Sequence, residues 1–464
     1  LLVGFNLKKG RDKMATALRE ESFEVHDAEV LSKTRAFLDE CRSLKEMAQA
    51  VEDAVHRNEE WRGKRCINLL APEAPTSPKV RNLLSAEIGT RAAEGHIGQV
   101  NRWFAGTGYI DEVEALCVEL LKRVFKSKYA DHRLMGSMLG NMAAYWALTE
   151  PGDVIMSAAQ PVGGHSSNRF DGPAGFHGLK VVDIPFDPVE LEVDMDLFRR
   201  MAPLVKPKVV GLGMSMTLFP YPVRSMVEII SEWGGRLFFD GAHQLGLIGA
   251  GLFQDPLAEG AAVLTGSAGK TFGGPQSGII VWNDPNLTKP VTSAIFPGLA
   301  ATHQVNRVAA LAYSAAEMLE FGQAFMKQIV VNAQALGAAL ADKGLDILCS
   351  HKGYTQTHQV IADVSSLGGG IGAAQALERA NIITNKNLIP KDKPENWDRP
   401  SGLRIGTIEV TRLGMGAEKM KAIAGFVARV LVEKENPEIV AKDVMDFRSA
   451  YQTIYYCFDN GLPR

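Results

Sequence analysis

From residue 178 to residue 282 the apolar positions come in short continuous runs, separated by stretches with helical spacing. LKVVDIPF, KVVGLGMSM, LFFD, AAVL and IIVW are the runs; DMDLFRRMAPLV and RSMVEIISEWGG are two of the stretches between them. Runs that are apolar at every position suit strands covered on both faces, and their alternation with helices predicts a mostly parallel sheet. Upstream, VIMSAA reads as a further strand and DEVEALCVELLKRVFK (111–126) as an amphipathic helix capped by Asp111. Residues 14–65 are helical and charged, with Phe37, Leu44, Met47, Val51 and Val55 on one face that would pack on a body or a partner. His303 to Gly344 is long, alanine-rich and helical. Beyond it come short strands (LDILC, HQVIADV, LRIGTIEV) and two helices (AAQALERA, EKMKAIAGFVARVLVEK). The expectation is an α/β protein: a helical arm over 1–70, a large sheet domain over 71–335 and a small α+β domain over 336–464.

Composition narrows the classes. With 464 residues, 46% hydrophobic and 22% charged, the chain is of ordinary globular make-up and long enough for two or more domains. A net charge of −3 offers no electrostatic case for nucleic acid. Five scattered cysteines without a Cys-x-x-Cys pair argue against a disulfide framework or a zinc site, and fit a reducing, cytoplasmic setting. No apolar run approaches the roughly 20 residues that span a bilayer. Met14 is a candidate first residue, and Leu1–Lys13, an added or upstream segment, is left out of the fold reasoning.

Candidate chemistry gathers in LFFDGAHQLGLIGAG…AAVLTGSAGKTFGGPQSG, residues 237–278. Asp240 ends one apolar run, His243 follows it, and Lys270 sits in a Gly/Ser loop after the next run. A lysine in a small-residue loop can lose water and act as an amine nucleophile, while a strand-end aspartate can hold a ring nitrogen protonated. Pyridoxal phosphate (PLP) asks for both roles. A strand-end Asp and a surface Lys in an ordinary sheet would look the same, so these residues alone leave both readings open. Gly136 and Ser137 open a helix, where free N–H groups favour an anion. His165 follows Gly163-Gly164 in a loop beyond a strand and suits stacking on a flat ring. Ser215 and Thr217 end the strand before LFFD and would reach the same crevice. The broken segment 90–108 carries Glu94, His96, Trp103 and Phe104; packing is the simpler expectation for its aromatics.

Taken in order, Glu94-Gly, Gly136-Ser, Gly-Gly-His165, Asp240-x-x-His243, Lys270-Thr with Gly274-Pro, and Ser-Gly-Leu-Arg404-Ile-Gly-Thr resemble the serine hydroxymethyltransferase family, from about Ile67 to about Val432. The resemblance implies a fold-type-I PLP-dependent transferase with a large, mostly parallel, seven-stranded sheet domain and a smaller C-terminal domain. It implies Lys270 as Schiff-base lysine, Asp240 on the pyridine nitrogen, His243 beside the phenolic oxygen and His165 on the ring face. Gly136, Ser137 and, across a dimer interface, Gly274 would serve the phosphate, with Ser215 also at the cofactor. Arg404 would clamp the substrate carboxylate, and Glu94 would be an acid/base given by a neighbouring subunit. Phe104 would line the substrate wall, and Asn385 or Asn387 would meet a pterin. The implied reaction is reversible Cα–Cβ cleavage of serine or α-methylserine with one-carbon transfer to tetrahydrofolate, in a homodimer or homotetramer with shared sites.

The chain departs from the family at Gly269 (usually His), Pro72 (usually Ser), Ala92 (usually Tyr), Met135 (usually Ser), and at Trp103 and Phe104, which stand for two tyrosines. These changes touch the wall facing substrate and pterin. A roomier wall admits α-methylserine, or a threonine aldolase or transaldolase activity, and a non-catalytic PLP-binding paralogue is a further alternative. The motifs RIGTIEVTRLG and Thr355-Gln-Thr-His358 are nearer to archaeal and transaldolase-like branches.

Overall fold

The computed structural model describes residues 26–463. The candidate start at Met14 and the segment before it lie outside them. The described chain forms two compact units, divided between Gly63 and Lys64.

In the first unit, helices α1 (Ala28–Glu40) and α2 (Leu44–Asn58) are capped by Asp27 and Ser43, whose side chains accept first-turn N–H groups. The apolar face read from the sequence is present. Phe37, Leu44, Val51 and Val55 are nevertheless exposed, and neither helix has a buried residue.

The second unit is built on a seven-stranded sheet of β1 (Tyr129–Asp131), β2 (Val154–Ser157), β3 (Lys180–Asp183), β4 (Val209–Leu212), β5 (Arg236–Asp240), β6 (Val263–Ser267) and β7 (Gly278–Trp282). Their order is β1-β7-β6-β5-β4-β2-β3. The run from β6 to β3 is parallel, and β7 is antiparallel to both neighbours. Period-2 alternation divides each strand between two cores. Leu237 and Phe239 join one apolar layer, with Val210, Leu212 and Leu264, while Phe238 joins the other, with Val209 and Val263. Both faces being covered explains why these strands read as unbroken apolar runs.

Helix α3 (Gly108–Phe125) begins three residues before the expected cap, and Thr107 at its N-cap makes no side-chain bond. Asp111 therefore lies inside the first turn, where it takes Arg102 instead. Helix α4 is Ser137–Leu148, and the 38-residue α5 (Val305–Asp342) packs against α3 and also against α6 (Ala417–Leu431). Thus one helix runs through residue 335 and serves both sheets. The second sheet is antiparallel and four-stranded, ordered β8 (Asp346–Ile347), β9 (Gln359–Asp363), β11 (Gly402–Gly406), β10 (Asn385–Asn387). LRIGTIEV, expected as one strand, stops at Gly406 and continues as the short helix Ile408–Arg412. A Cβ at 406 would lie 2.5 Å from Ala71 Cα, so Gly406 admits a neighbouring backbone where the strand ends.

Candidate active site

The carboxyl ends of β4, β5 and β6 lie side by side, the usual place for a ligand in an open α/β sheet. Beyond β4, Gly213 takes φ +115° so close to β5 that a Cβ would lie 2.0 Å from Asp240 O. Only glycine fits there without displacing that strand end.

Asp240 is buried. Its Oδ2 accepts from Asn141 Nδ2 at 2.6 Å and its Oδ1 from the Ala242 N–H at 3.1 Å. Asn141 is oriented in turn by Thr265, whose Oγ1 donates to Asn141 Oδ1 at 2.7 Å. The Asn141 amide also donates to Ser167 Oγ (2.8 Å), which lies 2.7 Å from His165 Nδ1. One amide on α4 thereby fixes the carboxylate and, through Ser167, the histidine.

Burial lowers the Lys270 amine to about 8, and Arg404 adds to this; Asp240 opposes both without reversing them. Thr271 ties the lysine turn down, donating to His243 O at 2.8 Å and accepting from Gly246 N–H at 3.0 Å. His165 is also lowered by burial, with Asp240 opposing and Lys270 and Arg404 adding, so it rests neutral. Burial alone lowers the Arg404 guanidinium to about 10. Arg404 donates to Ser215 O (2.7 Å) and Asn385 Oδ1 (3.2 Å), neither of them an acid. Asp240, Lys270 and Arg404 form no ion pair among the described residues, so charges of both signs stand buried and open in one place.

The other expected residues divide. Ser215 reaches the site through its carbonyl. Thr217 does not reach it, because its hydroxyl is 2.6 Å from Tyr221 OH, buried. Asn385 joins Arg404, whereas Asn387 turns to Leu388 O (2.6 Å) and Met216 Sδ (3.9 Å). Gly136 is the N-cap of α4 and no side chain caps that end, so the amides at Ser137 stay open to an anion. The Gly274 N–H is used on Ala268 O at 2.8 Å. At Gly269 a Cβ would lie 2.8 Å from the Gln276 amide carbon, so the Gln276 side chain fills the space beside this departure.

Glu94 has a different set of partners. Thr302 Oγ1 donates to its Oε1 at 2.6 Å, and no bond among the described residues joins it to Lys270 or Asp240. Its loop hangs from two buried arginines: Arg102 Nη1 donates to Ala93 O (2.6 Å) and Arg133 Nη1 to Gly95 O (3.1 Å). Arg102 also donates to Glu114 Oε2 at 2.6 Å, and His303 Nε2 meets Glu114 Oε1. Burial pushes the Glu114 carboxyl up, but the hydrogen bonds from His132 and His303 overcome it and hold it well below the usual range. Glu114, His132 and His303 are grouped closely enough to suggest a metal, yet both carboxylate oxygens are already engaged. Trp103 and Phe104, for which packing was the simpler expectation, are 75% and 46% exposed.

Pyridoxal phosphate fits what these residues leave open: Asp240 for a ring nitrogen, Lys270 for an aldehyde and the uncapped start of α4 for a phosphate. Sheet and site together define the class, a fold-type-I PLP-dependent enzyme. In solved structures the fold is similar to that of L-threonine transaldolase from Pseudomonas fluorescens (TM-score 0.82, 25% identity, 89% of this chain and 95% of that one). The sequence model of the serine hydroxymethyltransferase family matches residues 44–427. Serine hydroxymethyltransferase of Methanocella arvoryzae is 44% identical over 411 residues, covering 89% of this chain and 96% of that protein. The Pyrococcus furiosus enzyme of the same name is 44% identical over 426 residues, covering 91% and 99%. The chain belongs to the serine hydroxymethyltransferase family, whose members depend on PLP.

Proposed function

We propose that the protein is a hydroxymethyltransferase that cleaves the Cα–Cβ bond of serine or α-methylserine and passes the carbon to tetrahydrofolate. The observation that carries this reading is the convergence of three chargeable groups without ion-pair partners among the described residues, the buried Asp240 and Arg404 and the half-buried Lys270. Bound PLP supplies the electron sink that makes a Cα–Cβ bond labile. Lys270, largely neutral at mildly alkaline pH, offers the amine that holds and releases the cofactor. Arg404 binds the substrate carboxylate through its planar fork, with Asn385 and Ser215 O fixing the guanidinium plane. Asp240, steadied by Asn141, keeps the ring nitrogen protonated, and neutral His165 covers the ring face. His243 stands beside the phenolic oxygen. Gly136 and Ser137 hold the phosphate.

Glu94 moves the proton at the hydroxyl oxygen of the substrate. That no bond among the described residues joins it to Lys270 or Asp240 supports delivery from a neighbouring subunit, hence a homodimer or a larger assembly with shared sites. Phe104, half-exposed in the single chain, would complete the substrate wall there. None of the five cysteines forms a disulfide, which supports a reducing, cytoplasmic location. No helix among the described residues is long and apolar enough to cross a membrane.

A substrate panel tests the reading: serine, α-methylserine and threonine, each with and without tetrahydrofolate, with products identified. Tetrahydrofolate-dependent glycine from serine, or alanine from α-methylserine, is expected. Aldehyde release from threonine without any folate-dependent turnover would favour the transaldolase-like alternative, which the small residue at 92 supports. A bound cofactor with no turnover on any substrate would mark a non-catalytic paralogue.

A further inference from the structure

Two fully buried residues of β9 and the turn before it act on His243. His358 lies parallel to it, with ring centroids 5.5 Å apart and planes 13° apart, and Gln359 follows in sequence. The orientation of the Gln359 amide is fixed by the main chain. Its Oε1 accepts from Thr217 N–H at 3.0 Å and its Nε2 donates to Ser215 O at 3.0 Å. Turning the amide over would set donor against donor and acceptor against acceptor, losing both bonds. The second hydrogen of Nε2 is then free for His243 Nδ1, 2.9 Å away. His358 leaves that nitrogen to Gln359: its own Nε2, 3.3 Å from His243 Nδ1, lies 3.2 Å from Ala71 O, which can only accept and so takes the His358 hydrogen.

His243 Nδ1 thus faces the Gln359 N–H, and a neutral imidazole in that position must carry its hydrogen on Nε2. We infer that Gln359 is a positioning residue which locks His243 as the neutral Nε2–H tautomer, making it a fixed hydrogen-bond donor to the site and not a base. The charged groups around it agree. Burial is the main force lowering His243 well below its ordinary value, and Lys270, Arg404, His358 and His165 all push the same way. Protonating Nδ1 would also forfeit the bond from Gln359. On the other side, Nε2 lies 3.5 Å from Arg404 Nη1, donor facing donor, a gap that one anionic ligand oxygen would bridge. The proposed function enters only in naming that oxygen as a substrate carboxylate or a cofactor phenolate; the tautomer does not depend on it.

The test is the ring-nitrogen NMR spectrum of the PLP-loaded protein labelled with 15N-histidine, with His243 assigned by the signal lost in His243→Asn. A hydrogen on Nε2 and a bare Nδ1, unchanged through the range where exposed histidines titrate, is expected. In Gln359→Glu the carboxylate accepts where the amide donated, so the hydrogen should appear on Nδ1. A wild-type spectrum with hydrogen on Nδ1 or on both nitrogens overturns the inference, as does Gln359→Glu with the tautomer unmoved. Should that variant fail to fold, the wild-type spectrum alone decides. Adding glycine to the wild type separates the oxygen's sources: a response of Nε2 only on adding glycine points to the carboxylate, and its presence beforehand to the phenolate. Failure of the functional reading is seen elsewhere, as a bound chromophore that survives Lys270→Ala.

Discussion

At the scale of the residue, the lysine carries the sharpest expectation. A Lys270 amine lowered to about 8 is half neutral there, where a solvated lysine would be almost wholly charged. Cofactor-free protein should therefore rebind PLP at a rate that climbs with pH around 8 and levels off above it, as followed by absorbance. A midpoint near the ordinary lysine value would contradict the burial argument. The same shift has a stability sign. The folded state gives up this proton before the unfolded state does, so its stability rises as pH climbs from about 8 toward the unfolded lysine value. Lys270→Met in the cofactor-free protein should flatten that rise in denaturant titrations. Asn141→Leu should leave Asp240 without its 2.6 Å donor and loosen PLP, measured as faster loss of the cofactor on dialysis. Asp240 was legible in the sequence as a charge at the end of an apolar run and Lys270 as a lysine in a Gly/Ser loop, whereas Arg404 was legible only through the family motif. Asn141 was not. It lies one helical turn beyond Ser137, a spacing that could have suggested a shared face, but its partners come from residues 99 and 124 positions away.

At the scale of the element, patterns located helices and strands well and their ends less well. Helix α3 was expected from a cap at Asp111, yet that carboxylate serves the buried Arg102, which also holds Ala93 O and Glu114. Removing Glu114 leaves the buried Arg102 with Asp111 as its remaining acid, so the cost should fall below the about 3–5 kcal/mol of a fully stranded charge. Glu114→Leu should still lose stability in urea unfolding, and an effect below about 1 kcal/mol would show that the pair is not what holds the loop. At the end of β4, Gly213→Ala meets both a positive φ and the backbone of Asp240. The strained dihedral alone costs about 1–3 kcal/mol, and a lowered melting temperature checks it. The misjudged strand LRIGTIEV shows why ends are hard to read. Its apolar positions satisfy either period, and the close approach of Ala71 to Gly406 belongs to another part of the chain.

At the scale of the whole molecule, no bond among the described residues joins the expected acid/base, Glu94, to the expected nucleophile, Lys270. If the sites are shared, Glu94→Gln and Lys270→Ala should each be inactive alone. Mixed after unfolding and refolding together, random pairing should restore roughly a quarter of wild-type activity, because half the dimers then carry one complete site. A mixture as inactive as its components would place both residues in one chain's site.

The sequence by itself determined the sheet and the chemistry-bearing strand ends, because burial on two faces and charge at a strand's end leave marks in local order. It also carried the family, and with it the cofactor class, through motifs whose order survives substitutions at 92, 135 and 269. Only the tertiary structure decided which polar groups meet: Asn141 under Asp240, Asn385 and not Asn387 on Arg404, Gln359 on His243. Hydrogen bonds are short-ranged and directional, so their pairing depends on where distant segments come to lie, and no local pattern of residues records that.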